Sequence, residues 1–138
     1  MNIQIRKFYY GDIPEESAGG NELKDLKVPP PAGGGGGGFI YNVTIKIQRS
    51  ITDAWLLWLK EEHIPDIIQT GCFTHAVILR LMEVDETDGP TFAVQYHAES
   101  KGQYNNYIEN HAPVMRQKAF DKWGDQFIAF RSVMQVVN

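Results

Sequence analysis

The sequence predicts an α+β domain with the element order βαββαβ, folded as a four-stranded antiparallel sheet with two helices on one face. Two observations carry this. Residues 39–138 contain four runs of alternating apolar and polar residues, and two amphipathic stretches separate them in the order strand, helix, strand, strand, helix, strand. A pentapeptide pattern also occurs twice, as Glu61-Glu62-His63-Ile64-Pro65 and as Glu109-Asn110-His111-Ala112-Pro113, with the histidines 48 residues apart. Each time an acidic residue precedes the histidine by two positions and a proline follows it by two, so the chain is expected to bend twice in the same way.

The chain divides into an extension, residues 1–32, a glycine linker, residues 33–38, and the domain proper, residues 39–138. Within the extension, Met1 to Tyr10 alternates at Ile3 and Ile5 as a short strand would, until Gly11-Asp12-Ile13-Pro14 breaks it. Its aromatic cluster, Phe8, Tyr9 and Tyr10, could add a strand to an exposed sheet edge; a disordered tail is the alternative. Val28-Pro29-Pro30-Pro31-Ala32 is stiff and polyproline-like, and Gly33 to Gly38 follows it as six consecutive glycines. A phosphate-cradling loop would need a Lys-Ser/Thr pair or a helix start next, whereas Phe39-Ile40-Tyr41 opens a strand.

From Phe39 to Gln48, Tyr41, Val43, Ile45 and Ile47 alternate with Asn42, Thr44 and Lys46, the pattern of a strand covered on one face. Ser50-Ile51-Thr52-Asp53 reads as a cap-like helix start, and Trp55, Leu56, Trp58 and Leu59 supply the apolar stripe up to His63. Pro65 needs no donor in the first turn of a new helical piece, so Asp66 to Thr70 continues as an offset segment that Gly71 caps. Phe73 to Met82 is the second strand, Asp85 to Pro90 a turn, and Thr91 to His97 the third strand. Ser100 and Gln103 open a second helix, Pro113 interrupts it, Gly124 caps it after Trp123, and Gln126 to Val137 is the last strand. This order is the ferredoxin-like split βαβ repeat, and right-handed crossovers place both helices on one side of the sheet. The uncovered face would carry Asn42, Thr44, Lys46, Ala93, Gln95 and His97, with either Arg131 or Ser132 added by the last strand. Such a half-apolar face calls for a second copy, so a homodimer is expected.

With 138 residues, 43% of them apolar, the chain can bury a core without disulfide or metal staples. A formal charge of −4 and the absence of basic blocks argue against nucleic acid as a partner. No apolar run approaches the roughly 20 residues of a membrane span, and Met1 to Tyr10 lacks a signal-peptide core; with Cys72 as the lone cysteine, a reducing cytoplasm is expected.

Several segments resemble an uncharacterised family of small proteins in the dimeric α/β-barrel superfamily. They are Ile40-Tyr41-Asn42-Val43-Thr44, Trp55 through Pro65, the Thr70-Gly71-Cys72-Phe73 turn, the His111-Ala112-Pro113 break and Phe127-Ile128-Ala129-Phe130-Arg131. The likeness runs from Phe39 onward. In such relatives the first strand starts at the initiator methionine, which would fall at Gly38, so residues 1–38 are the departure. The resemblance implies a dimer enclosing a small-molecule cavity, in a superfamily that includes cofactor-free monooxygenases, isomerase-like enzymes, heme-degrading and stress-responsive members. Fold alone does not choose among these.

The residues offer candidates for chemistry. His63 and His111, each at a helix break, could abstract a proton from an activated carbon acid or phenol, or could simply satisfy backbone groups orphaned by the proline. Glu61, Glu62 and Glu109 could orient them or be solvated helix charges. Asn42, Thr44, Gln95 and His97 could bind a polar substrate group or hydrogen-bond across a dimer interface. Arg131 suits a bidentate carboxylate, from a substrate or from a partner chain. No metal is expected, because His63, His75, His97 and His111 show no ligand spacing, and no cofactor is implied. Cys72 reads as a small core residue. Two functions compete: a cofactor-free acid/base enzyme, monooxygenase- or isomerase-like, acting on a small aromatic or carbonyl metabolite, and a non-enzymatic interaction or dimerisation module with a tethered N-terminal peptide.

Overall fold

The computed structural model describes residues 6–9 and 38–137. The polyproline stretch 28–32 and the glycines at 33–37 lie outside the described residues. Strand β1 is Arg6–Tyr9 and β2 is Phe39–Ile47. A 3-10 turn, Arg49–Ile51, leads into α1 (Thr52–Trp58), a π turn (Leu59–His63) and α2 (Ile64–Ile68). Strands β3 (His75–Arg80) and β4 (Thr91–Ala98) follow, then α3 (Lys101–Asn110), α4 (Ala112–Trp123) and β5 (Phe127–Gln135).

The sheet order is β1-β3-β4-β2-β5, and every neighbouring pair is antiparallel. Strand β4 lies between β2 and β3, and β2 lies between β4 and β5. Each helical crossover therefore steps over one strand, which is the predicted split βαβ arrangement. Strand β1 adds a fifth member by pairing with the outer edge of β3, Lys7 opposite Val77 and Tyr9 opposite His75. An unpaired edge presents a row of free N–H and C=O groups, and β1 satisfies this one.

Pairing registers sort the side chains by face. Tyr41, Val43 and Ile45 of β2 stand opposite Tyr96, Val94 and Phe92 of β4 and Val133, Arg131 and Ala129 of β5. These positions lie toward the helices, where Trp55, Trp58, Leu59, Ile64, Ile67, Ile68, Tyr107, Ala112 and Met115 join the strand residues in one buried cluster. On the other face Asn42 stands between Gln95 and Ser132, and none of the described helices packs there. Exposed apolar side chains gather along β5 on that face, with Phe130 69% and Ile128 59% accessible.

Two local expectations change. The first helix does not begin at a Ser50 cap: Ser50 sits inside the 3-10 turn, no side chain caps it, and Thr52 Oγ1 donates instead to the Gln48 carbonyl at 3.1 Å. Ser100 does cap α3, accepting from the Gln103 N–H at 3.1 Å. The two pentapeptides also bend differently. Around Pro65 the backbone stays helical, widened into a π turn, whereas His111 leaves the helical region (φ −126°, ψ −34°) and separates α3 from α4.

Gly89 lies hard against a neighbouring stretch of backbone. Residues 88–90 run beside the end of β2, where Ile47 N–H donates to Pro90 O at 3.0 Å and Arg49 N–H to Asp88 O at 2.9 Å. With φ at +154°, a Cβ at Gly89 would overlap the Ile47 carbonyl oxygen. Gly89→Ala is expected to destabilise the fold by about 2 kcal/mol or more. A lowered urea midpoint checks this; an unchanged one would show that the segment shifts without cost.

Candidate functional site

The site is set by the way the first helix passes Pro65. A proline inside an α-helix has no N–H to donate and its ring meets the carbonyl four residues back. Here the helix widens ahead of it, and the Ile64 N–H reaches back five residues to Leu59 O. At π spacing, side chains five apart fall on the same side of the helix, whereas in an α-helix they do not. The His63 ring accordingly stacks on Trp58, centroids 4.4 Å apart and planes at 19°. Trp58 is itself held, because its indole N–H donates to Glu62 Oε2 at 2.6 Å and its ring meets Trp123 edge-on at 5.8 Å. Glu62 thus orients the tryptophan beneath the histidine, not the histidine.

His63 borders a cavity of about 50 Å³ between the helices and the β2–β5 half of the sheet. Tyr41, Val43 and Ile45 of β2 and Phe127, Ala129 and Arg131 of β5 form its floor, with Trp58 on one wall and Met115, Arg116 and Ala119 of α4 on the other. The Tyr41 ring lies among Phe73, Tyr96, Tyr104 and Tyr107, and its hydroxyl accepts from Arg116 Nη2 at 3.3 Å. Burial pushes the Tyr96 and Tyr107 phenols above their ordinary range, so both stay protonated. His63 Nδ1 is sealed from water with no hydrogen-bond partner. Burial first, and then the positive charges of Lys118 and Arg131, lowers the His63 pKa to about 4. At neutral pH its imidazole is uncharged.

Of the sequence candidates, the structure brings together His63 and Arg131. Asn42, Thr44, Gln95 and His97 lie on the opposite face of the sheet, where Ser132, not Arg131, joins them. There Asn42 Nδ2 donates to Thr44 Oγ1 at 2.9 Å and lies 3.5 Å from Ser132 Oγ. His97 stacks on His75 across β3 and β4, centroids 4.1 Å apart, a pair that only the strand register creates. His111 is not in the cavity lining and packs 6.2 Å from the Tyr107 ring. Cys72 is buried, and its sulfur accepts from Asn106 Nδ2 at 3.3 Å. Sequence reasoning missed Arg116, which carries no signal separating it from the other charges of α4, and it read Tyr41 and Trp58 as core alone. Among the described residues no three His, Cys, Asp or Glu side chains gather as a metal-ligand group. No described helix is long and apolar enough to cross a membrane. A wider groove of about 410 Å³ lies at the far end of β2 and β5, but it carries both signs of charge, and Lys46 already faces Asp88 there at 3.8 Å.

Fold and site together define an α+β domain of ferredoxin-like topology with a small, aromatic-walled cavity between helices and sheet. The chain belongs to the family described as Domain of unknown function (DUF4286), whose model matches residues 38–137. Among solved structures it is similar to one titled "Crystal structure study of anthrone oxidase-like protein", with a TM-score of 0.54 and 14% sequence identity over 82% of this chain. It spans 48% of that chain, about half its length, and at this identity the likeness shows the fold. Comparison with curated proteins returns no match.

The depressed His63 pKa has a consequence for stability. Between the folded value of about 4 and the ordinary 6.5, the unfolded chain binds a proton that the folded chain does not, so acidification favours unfolding. This histidine alone is expected to remove about 3 kcal/mol of stability as the pH falls from 6.5 to 4. Urea denaturation across that window checks it: His63→Leu should flatten the slope, and an equally steep slope in the variant would place the titration elsewhere.

Proposed function

We propose that this protein is a homodimeric small-molecule-binding domain that acts on a small aromatic or carbonyl-bearing metabolite by cofactor-free acid/base chemistry in the cavity beside His63. The observation that carries the reading is an uncharged imidazole with an unpartnered nitrogen, set in an aromatic-walled cavity within reach of the Arg131 charge. An uncharged imidazole can take a proton from a carbon acid or phenol bound against Trp58 and Tyr41. Arg131 would stabilise the negative charge left on the ligand, and the same charge would raise the proton affinity of His63. The fold shared with a protein described as anthrone oxidase-like supports a small-molecule role. The size of the cavity sets the scale: about 50 Å³ is room for a few waters, under the roughly 150 Å³ that takes up a benzene ring, so a short chain fits, a ring enters only as lining side chains move aside, and a drug-sized ligand does not fit.

Dimerisation is supported by the uncovered sheet face, where Ile128, Phe130 and Met134 stand exposed beside the polar row Asn42, Thr44 and Gln95. A second reading, an interaction module, is favoured by β1, which ties the N-terminal segment to the sheet edge along β3.

A thermal-shift screen of aromatic and carbonyl metabolites separates the two. A binder at about 100 times its Kd should stabilise the protein by about 2.7 kcal/mol. His63→Ala should leave the oligomeric state intact by light scattering and abolish that shift. Unchanged binding in the variant would remove His63 from the site, and a dimer that binds none of these compounds would favour the interaction module.

A further inference from the structure

The formal charges around the cavity are all of one sign. Arg116 and Arg131 are its charged lining residues, in a chain whose formal net charge is −4. They are also its exposed members, since Trp58, Tyr41, Tyr107 and Met115 are buried and His63 largely so. The exposed part of the lining is therefore cationic.

Among the described residues neither group has an ion-pair partner. Three other cations do face carboxylates: Arg80 holds Glu86 through Nη2 at 2.9 and 3.1 Å, Lys118 faces Asp66 at 3.5 Å, and Lys46 faces Asp88 at 3.8 Å. Among the described residues no carboxylate lies within ion-pair distance of Arg116 or Arg131, and Arg116 makes its hydrogen bond to an uncharged phenol, Tyr41. Beyond them lies His63, largely buried, with a nitrogen that no protein group satisfies. Two guanidinium groups without a carboxylate partner, on the exposed side of an otherwise apolar and aromatic lining, leave the site short of one partner, an acceptor-rich anion at that side.

We propose that the cavity takes an organic carboxylate, with the carboxylate held between Arg116 and Arg131 on the exposed side and a single ring or short apolar chain reaching inward past Tyr41 to Trp58 and His63. This rests on the reading of the cavity as a small-molecule site and names the class of ligand it takes. A guanidinium binds a carboxylate through two parallel N–H donors, which a neutral amide or alcohol of the same shape cannot match in charge. The preference is therefore for charge at one end and apolar surface at the other.

Benzoate and its neutral near-isostere benzamide serve as probes, titrated calorimetrically into the full chain. Benzoate is expected to bind about tenfold or more tightly than benzamide, the factor a charge-assisted hydrogen bond supplies over a neutral one. Arg131→Gln and Arg116→Gln should each bring benzoate down toward benzamide, Arg131→Lys should retain part of the preference, and Lys101→Gln, on the exposed side of α3, should change nothing. Equal binding of the two probes, with both lost in His63→Ala, would overturn the carboxylate assignment and leave the small-molecule reading standing. A benzoate preference that survives both glutamine substitutions would overturn it as well, by placing the anion elsewhere. Binding of neither probe would overturn it outright, and a neutral metabolite found by the thermal-shift screen would then still uphold the small-molecule reading.

Discussion

A missing backbone N–H at Pro65 shapes the region on which the candidate site depends. Because the first helix cannot run through that position in α register, it takes up an extra residue as a π turn, and Ile64 bonds back to Leu59. The widening rotates His63 over Trp58, and packing of Trp58 against Trp123 and Glu62 keeps the ring in place. Burial of the imidazole follows from that placement, and its low proton affinity follows from the burial. A histidine on an uninterrupted α-helix at this position would fall on a different side and would not meet Trp58.

The second pentapeptide shows why the motif alone does not decide this. Pro113 imposes the same loss of a donor, yet there the chain breaks at His111 and starts a new helix. The difference lies in what holds the backbone on either side. The first helix buries Trp55, Trp58 and Leu59 before its proline and Ile64, Ile67 and Ile68 around and after it, so both halves are clamped to the same sheet and must remain coaxial enough to share it. The second buries Tyr107 ahead of the break and Ala112 and Met115 behind it, a lighter anchorage that lets the axis turn. One histidine is thereby drawn to the cavity and the other left at a joint.

Strand β5 decides which polar residues meet. Side chains alternate across a sheet with a period of two, so a register change of one residue would exchange Arg131 for Ser132 on the helix side. The observed pairing of Val43 with Arg131 and of Asn42 with Ser132 sends the guanidinium to the cavity and leaves the hydroxyl with the polar row on the uncovered face. That single parity separates the two groups of candidate residues, His63 with Arg131 on one side and Asn42, Thr44, Gln95 and His97 on the other.

The amino-acid order by itself determined the element sequence, the split βαβ topology and most boundaries, because alternation in Phe39–Ile47 and Thr91–Ala98 and helical spacing around Trp55 and Trp58 are local signals tied to burial of one face. It also singled out His63, through the proline two positions on. It left open the face of Arg131, since Phe127, Ile128, Ala129 and Phe130 are apolar in succession and show no alternation from which parity could be read. Arg116 and the stacking of His75 on His97 were equally out of reach, because each gains its meaning from a neighbour that is distant along the chain: Tyr41 for the arginine, the β3–β4 register for the histidines. Local pattern reports what a segment buries. Only the packed sheet and helices decide which segments bury it together, and the cavity belongs to that second kind of fact.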